Sequence, residues 1–183
     1  HILHDETLGC DLECYAAGNC QNFADMFGIS GKVRNMNRFS ARLPGHCAFW
    51  DVMVRCGFLR EEPVMVNGTP VSPLEFCTAL LTSQQQFWYR KDERDVGYIR
   101  VEARGRKNGT PVSVTHTIID YADLDAGLTS MQRLVGFTVA IAASLIANGG
   151  FTERGLVMPM RVPLSLMQPE LAKRDIHIMT NID

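Results

Sequence analysis

Apolar positions concentrate most densely between Gly127 and Pro159, in the stretch GLTSMQRLVGFTVAIAASLIANGGFTERGLVMP. From Leu134 to Ala147 there is no charged residue, and only Gly136, Thr138 and Ser144 are not plainly apolar. Thr129 and Ser130 stand where a helix N-cap belongs, because their short oxygens can accept from N–H groups that the first turn leaves unpaired. Gly149 and Gly150 follow the last apolar residue, where a left-handed terminal turn needs no Cβ. The pattern predicts one helix of about five turns, apolar nearly all round and therefore buried on most sides. A membrane span needs roughly 18 or more apolar residues; this run is shorter, with Gln132 and Arg133 at its head. A core helix is expected and no membrane partner. Gly136 costs about 1 kcal/mol relative to Ala in mid-helix, which suggests that another backbone passes close to it.

The clearest strand signal precedes this helix. Val96 to Gly105 alternates, with Ile99, Val101 and Ala103 on one face and Arg100, Glu102 and Arg104 on the other. Asn108-Gly109 is the preferred pair for a tight type I′ turn, and Val112 to Asp120 returns with the same period. A two-residue loop sets Ala103 against Val114, Val101 against His116 and Ile99 against Ile118. His116 then lies on the apolar face, where a structural role with one hydrogen bond is expected.

Earlier segments are weaker. Strands are predicted at Asp11–Ala16, Gly31–Leu43 and Pro63–Val66, and a short helix at Asn19–Phe27 closed by Gly28. His46 to Phe58 has Phe49, Val52, Met53 and Cys56 at helical spacing, with Asp51 and Arg55 four apart on the opposite face. Ser72-Pro73-Leu74-Glu75 is a helix start, with Ser72 capping and Pro73 in the first position; Phe76, Cys77, Leu80 and Leu81 then point inward. Gln84 to Arg94 reads as a loop carrying Phe87, Trp88 and Tyr89. Behind the long helix, Gly155–Pro159 reads as a strand or turn, Pro163–Arg174 as a helix that Pro169 can break, and Ile176–Met179 as a last strand. Strict βαβ alternation is absent. The expected fold is α+β, a mixed and largely antiparallel sheet packed against helices that include the long buried one.

Composition narrows the partners. The chain has 183 residues, a net charge of −2 and no stripe of Lys or Arg, so nucleic acid is not an expected partner. It begins at His1 without a signal-peptide pattern, reading as trimmed, processed or cut from something longer. Of six cysteines, none forms a C-x-x-C pair. Cys47, Cys56 and Cys77 fall on apolar helical faces, where Cys packs as a small hydrophobe. Cys10, Cys14 and Cys20 with His4 match no closed zinc motif, so reduced thiols in a cytoplasmic protein are expected and no metal.

The sequence contains neither G-x-G-x-x-G nor G-x-x-x-x-G-K-[ST], and no G-x-S-x-G or H-E-x-x-H. No nucleophile–base pair can be picked from spacing, so catalytic residues stay unassigned. One constellation stands out, Arg42-Leu43-Pro44-Gly45-His46. It puts a guanidinium fork and an imidazole at the mouth of a helix, which suits gripping a carboxylate; an ordinary surface Arg with a capping His is the plainer alternative. Arg133, at the head of the long helix, opposes the helix dipole there and calls for an anionic partner, or else is a solvated first-turn residue.

Four stretches in order carry a resemblance: RLPGH; GFL-x-EEPV-x-VNGTPVSPLEFC-x-ALL; YIRVEARGRKNGTPVSVTHTIIDYAD; and GLTSMQRLVGFTVAIAASLIANGG with GLVMP. Together, over about Arg38 to Pro159, they resemble the C-terminal half of saccharopine dehydrogenase-like oxidoreductases, nearest the lysine dehydrogenase branch. The resemblance implies a two-part enzyme, in which a Rossmann domain absent here holds NAD or NADP and this chain alone holds none. It implies a substrate-binding and dimerisation domain over 1–161 and a segment, 162–183, that returns to the Rossmann domain. It implies a homodimer, hydride transfer at a C–N bond of an amino acid such as lysine or saccharopine, and Arg42, His46 and Arg133 as substrate-binding residues. Thr138 and Met160 depart from the prolines and Pro-Glu frequent in the family. Without the nucleotide-binding half the chain is expected to be inactive; a stand-alone, non-catalytic dimerising or ligand-binding module of the same fold is the alternative.

Overall fold

The computed structural model describes residues 1–18 and 20–183, without the side chain of Gln21. The chain forms two compact units, His1–Tyr89 and Arg90–Asp183. It is α+β, with antiparallel sheets and one long helix.

In the first unit, strands β1 (Ile2–Asp5), β2 (Cys10–Ala16) and β3 (Phe39–Arg42) form an antiparallel sheet in that order. β1 was not anticipated. Its hairpin is set by Asp5, whose carboxylate accepts from the Thr7 and Leu8 N–H groups, both at 3.0 Å. Gly9 supplies the left-handed residue that closes the turn, at φ 65°. β3 is shorter than the alternation predicted and starts at Phe39 instead of Gly31, because β2, its neighbour in the sheet, offers partners no further than Ala16. Helix α1 (Gln21–Met26) follows β2; the expected start at Asn19 lies outside the described residues.

Helix α2 (His46–Arg55) carries the predicted Asp51–Arg55 ion pair, at 2.8 Å. Strands β4 (Val64–Val66) and β5 (Thr69–Val71) make a hairpin around Asn67 and Gly68, both at positive φ. Helix α3 (Pro73–Thr82) starts as predicted, with Ser72 Oγ accepting from Glu75 N–H at 3.3 Å. The faces of α2 and α3 expected to point inward do so only in part. Cys77 is buried, but Phe49, Val52, Phe76, Leu80 and Cys56 are exposed. Periodicity reports that a helix has an apolar face; it does not report what covers it.

In the second unit, β6 (Val96–Lys107) and β7 (Thr110–Tyr121) form one long hairpin, extended by β8 (Met179–Ile182) on the far side of β7. The predicted register holds: Ile99 faces Ile118, Val101 faces His116 and Ala103 faces Val114. His116 is half-buried with one bond, Nδ1 to Thr180 Oγ1 of β8 at 2.9 Å. The last strand begins at Met179, where the predicted Ile176–Met179 ends, because Ile176 turns into the core, 1% exposed.

Helix α4 (Ser130–Ala147) packs its first turn against β6. Thr129 caps it reciprocally with Gln132, and Asp95 accepts from Ser130 N–H and Oγ–H at 2.8 and 2.7 Å. The turn from Arg133 to Phe137 is wound as π-helix. Ile141 is fully buried with Leu171 of helix α5 (Leu164–Ala172) and Ile176, and Ile118 and Leu134 pack against them. Pro169 lies inside α5 without ending it. Gly155–Pro159 forms no strand.

Burial of α4 is narrower than its composition implies: Met131, Val135, Val139 and Ile146 are exposed. By length and composition alone α4 could cross a membrane; one face of it packs on α5 around Ile141, and Arg133 is buried near its start. No backbone crowds Gly136, where an added Cβ meets nothing within 4 Å. The close approach is at Gly97 of β6, where a Cβ would overlap Leu134 Cδ1 and come within 3.3 Å of Ser130 Oγ.

Candidate functional site

The first unit brings Arg42 and His46 to one corner, at the end of β3 and the start of α2. Gly45 makes the corner possible, at φ 94° as the residue before the first helical turn. Arg42 is exposed, and among the described residues its guanidinium meets only the Ala41 carbonyl, at 2.9 Å. His46 is half-buried, nearly parallel to Tyr15 at 6.3 Å between ring centres, with Trp50 at 6.2 Å.

The helix mouth itself is taken. Glu13 of β2, opposite Arg42 in the ladder, accepts from Gly45 N–H at 2.9 Å and Cys47 N–H at 2.8 Å. These bonds, Gly45 first, hold the Glu13 carboxyl below its ordinary value. Desolvation, then the bond to Glu13, pushes the Cys47 thiol up, which keeps it protonated and a poor nucleophile. The helix mouth expected to grip a carboxylate is filled by the chain's own Glu13. What stays open to an outside anion is the Arg42 fork. Glu13 was not legible beforehand, since the bonds that it makes span 32 and 34 residues.

Arg133 lies in the second unit, 7% exposed. It has the anionic partner that its position calls for, and that partner is internal. Its Nε and Nη2 donate to Asp120 between 2.9 and 3.2 Å, Nη2 also to the Arg174 carbonyl at 3.0 Å, and Nη1 to Asp123 at 3.4 Å. The Asp120 bond holds its pKa above the ordinary arginine value. The guanidinium also lies over Phe137, 5.6 Å from the ring centre. This pair forms one wall of an open hollow of about 880 Å³. Arg94, Lys173, Asp175 and His177 also line it, so it presents both signs of charge. The π turn begins at Arg133, and such turns often mark functional positions.

Among the described residues no group of three His, Cys, Asp or Glu is placed to hold a metal. The starts of α2, α3 and α4 are met by Glu13, Ser72 and Thr129 with Asp95, while those of α1 and α5 carry no side-chain cap among the described residues.

Residues 2–175 match the saccharopine dehydrogenase C-terminal domain family. The chain belongs to that family. A curated relative, the saccharopine dehydrogenase [NADP(+), L-glutamate-forming] of Schizosaccharomyces pombe, is 28% identical over 128 residues, 69% of this chain. The domain spans about a quarter of that relative, 27% of its length.

Proposed function

We propose that this chain is the substrate-binding and dimerising domain of an NAD(P)-dependent amino-acid oxidoreductase of the saccharopine or lysine type. It works with a nucleotide-binding domain elsewhere in the enzyme, in the cytoplasm. The family match over residues 2–175 carries the reading; the relative's name supplies the cofactor and reaction class.

In this reading the cofactor supplies the hydride from its own domain, and the residues here bind and orient. Arg42 takes a substrate carboxylate, because its fork is exposed and has only one internal acceptor among the described residues. His46 stands beside it, at the head of α2, as a donor or acceptor for the same ligand. Arg133 serves from the wall of the second unit's hollow. It presents its Nη1 edge, held only by the longer bond to Asp123 at 3.4 Å, since Nε and Nη2 are committed to Asp120 and the Arg174 carbonyl.

The test is Arg42→Ala in the full-length enzyme. Saccharopine-dependent reduction of NADP should show KM raised about tenfold or more, the loss of a charge-assisted hydrogen bond, with the melting temperature unchanged. Unaltered KM removes Arg42 from the site. Absence of any NAD(P)-linked turnover in the full-length protein, with a start codon immediately before His1, turns the reading to the non-catalytic module.

A further inference from the structure

The long hairpin leaves an edge. β6 pairs with β7 on one side and, among the described residues, has no strand on the other. It runs for twelve residues, pairs one-for-one with β7 without a bulge, contains no proline, and is exposed from Ile99 to Lys107. Natural edges are usually short, bulged or proline-bearing, because unpaired N–H and C=O groups invite another strand. β6 relies on its charges for protection, and their order matters.

Which groups point outward follows from the ladder. Ser113 and Asp183 exchange both backbone bonds, each at 2.9 Å, so odd-numbered residues of β7 face β8 and even-numbered ones face β6. Their β6 partners are odd-numbered. The outward N–H and C=O groups therefore belong to Val96, Tyr98, Arg100, Glu102, Arg104 and Arg106. A second copy can add antiparallel only by pairing these even positions with each other.

Every register centred on a residue meets that condition, so the side chains and the length paired must choose among them. Centring on Ile99 sets no like charges together but opposes no opposite ones and pairs only residues 96 to 102. Centring on Arg100 or on Glu102 sets like charges face to face. Centring on Ala103 pairs Glu102 with Arg104 but sets Arg100 against Arg106. Centring on Val101 opposes Arg100 to Glu102 twice and Tyr98 to Arg104 twice, with no like-charge pair. The other face then joins Val101 to its own copy and Ile99 to Ala103. Val101 and Ile99 are 57% and 44% exposed in the single chain, so this register also covers apolar surface.

We infer that β6 is a self-complementary docking edge, on which a second copy of this chain pairs antiparallel about a two-fold axis at Val101, joining the two three-stranded sheets into one. The inference rests on the reading that the domain dimerises, and it names the surface.

The test uses the full-length protein. A Val101→Cys variant, mildly oxidised, should give a disulfide dimer whose linked peptides join position 101 of one copy to position 101 of the other. Facing residues of a non-hydrogen-bonded pair lie within disulfide reach. Ile99→Cys and Ala103→Cys should not cross-link alone but should when mixed. The unsubstituted protein measures background from the native cysteines. Glu102→Pro, which removes an outward N–H and spares the β7 ladder, should weaken the dimer about tenfold or more in light scattering. A dimer that resists cross-linking at 101, or that Glu102→Pro leaves intact, overturns the edge while sparing dimerisation. Ile99→Cys or Ala103→Cys cross-linking alone overturns the register. A protein monomeric at all concentrations removes both readings.

Discussion

At the scale of single residues, the corner between β3 and α2 turns on Glu13. A carboxylate from one strand stands in for the Ser, Thr or Asp that usually caps a helix within its own sequence, because Pro44-Gly45 leaves the chain no side chain there to do so. The Glu13 carboxyl titrates below its ordinary value in the folded state. A depressed carboxylate adds stability that is complete above its unfolded pKa and is lost as pH falls through the folded one. Glu13→Gln should therefore lower thermal stability at neutral pH and change it little well below pH 4.5, the ordinary value. A melting-temperature profile from pH 7 down to that range checks this; parallel curves for the two proteins would remove the ionic cap. Arg42 was legible as a candidate because a guanidinium before a Pro-Gly break is visible in one dimension. Its neighbour Glu13 was not, because strand pairing joins distant positions.

At the scale of elements, α4 and the hairpin were the most legible parts, since local chemistry and periodicity agree in each. Asn108-Gly109 dictates a two-residue loop, and that loop dictates the register observed along the whole of β6 and β7. The close approach between helix and sheet was misplaced. Glycine inside a helix draws attention because it costs stability, but Gly136 faces open space and Gly97 takes the contact. Opposite outcomes follow for the same substitution. Gly136→Ala should stabilise by roughly 0.5–1 kcal/mol through helix propensity. Gly97→Ala should destabilise by about 1 kcal/mol or more, because Leu134 must move out of its place against the core cluster. Urea denaturation of both variants decides between them; two changes of the same sign would contradict the packing described.

At the scale of the whole molecule, a buried ion pair ties together elements of the second unit that also meet in its apolar core. Arg133 joins α4 to Asp120 at the end of β7 and to the Arg174 carbonyl behind α5. Removing one partner of such a pair leaves a charge without compensation, at a cost of about 3–5 kcal/mol. Asp120→Asn should therefore destabilise strongly, whereas replacing both residues by apolar ones of similar size should cost much less. Chemical denaturation of the single and double variants measures the difference, and a harmless Asp120→Asn would show the pair to be incidental.

Local rules were enough to decide the α+β class, the long hairpin and its register, the caps of α3 and α4, and the Arg42–His46 corner. Each depends on residues within a few positions of one another, where backbone sterics and side-chain reach leave little choice. Tertiary structure alone decided that Glu13 reaches the α2 mouth, that Asp120 claims Arg133, that Ile176 enters the core and delays the last strand, and that α4 buries only one face. Those outcomes depend on which distant segments meet, and a pattern along the chain specifies an apolar face or an unpaired charge without naming the group that will satisfy it.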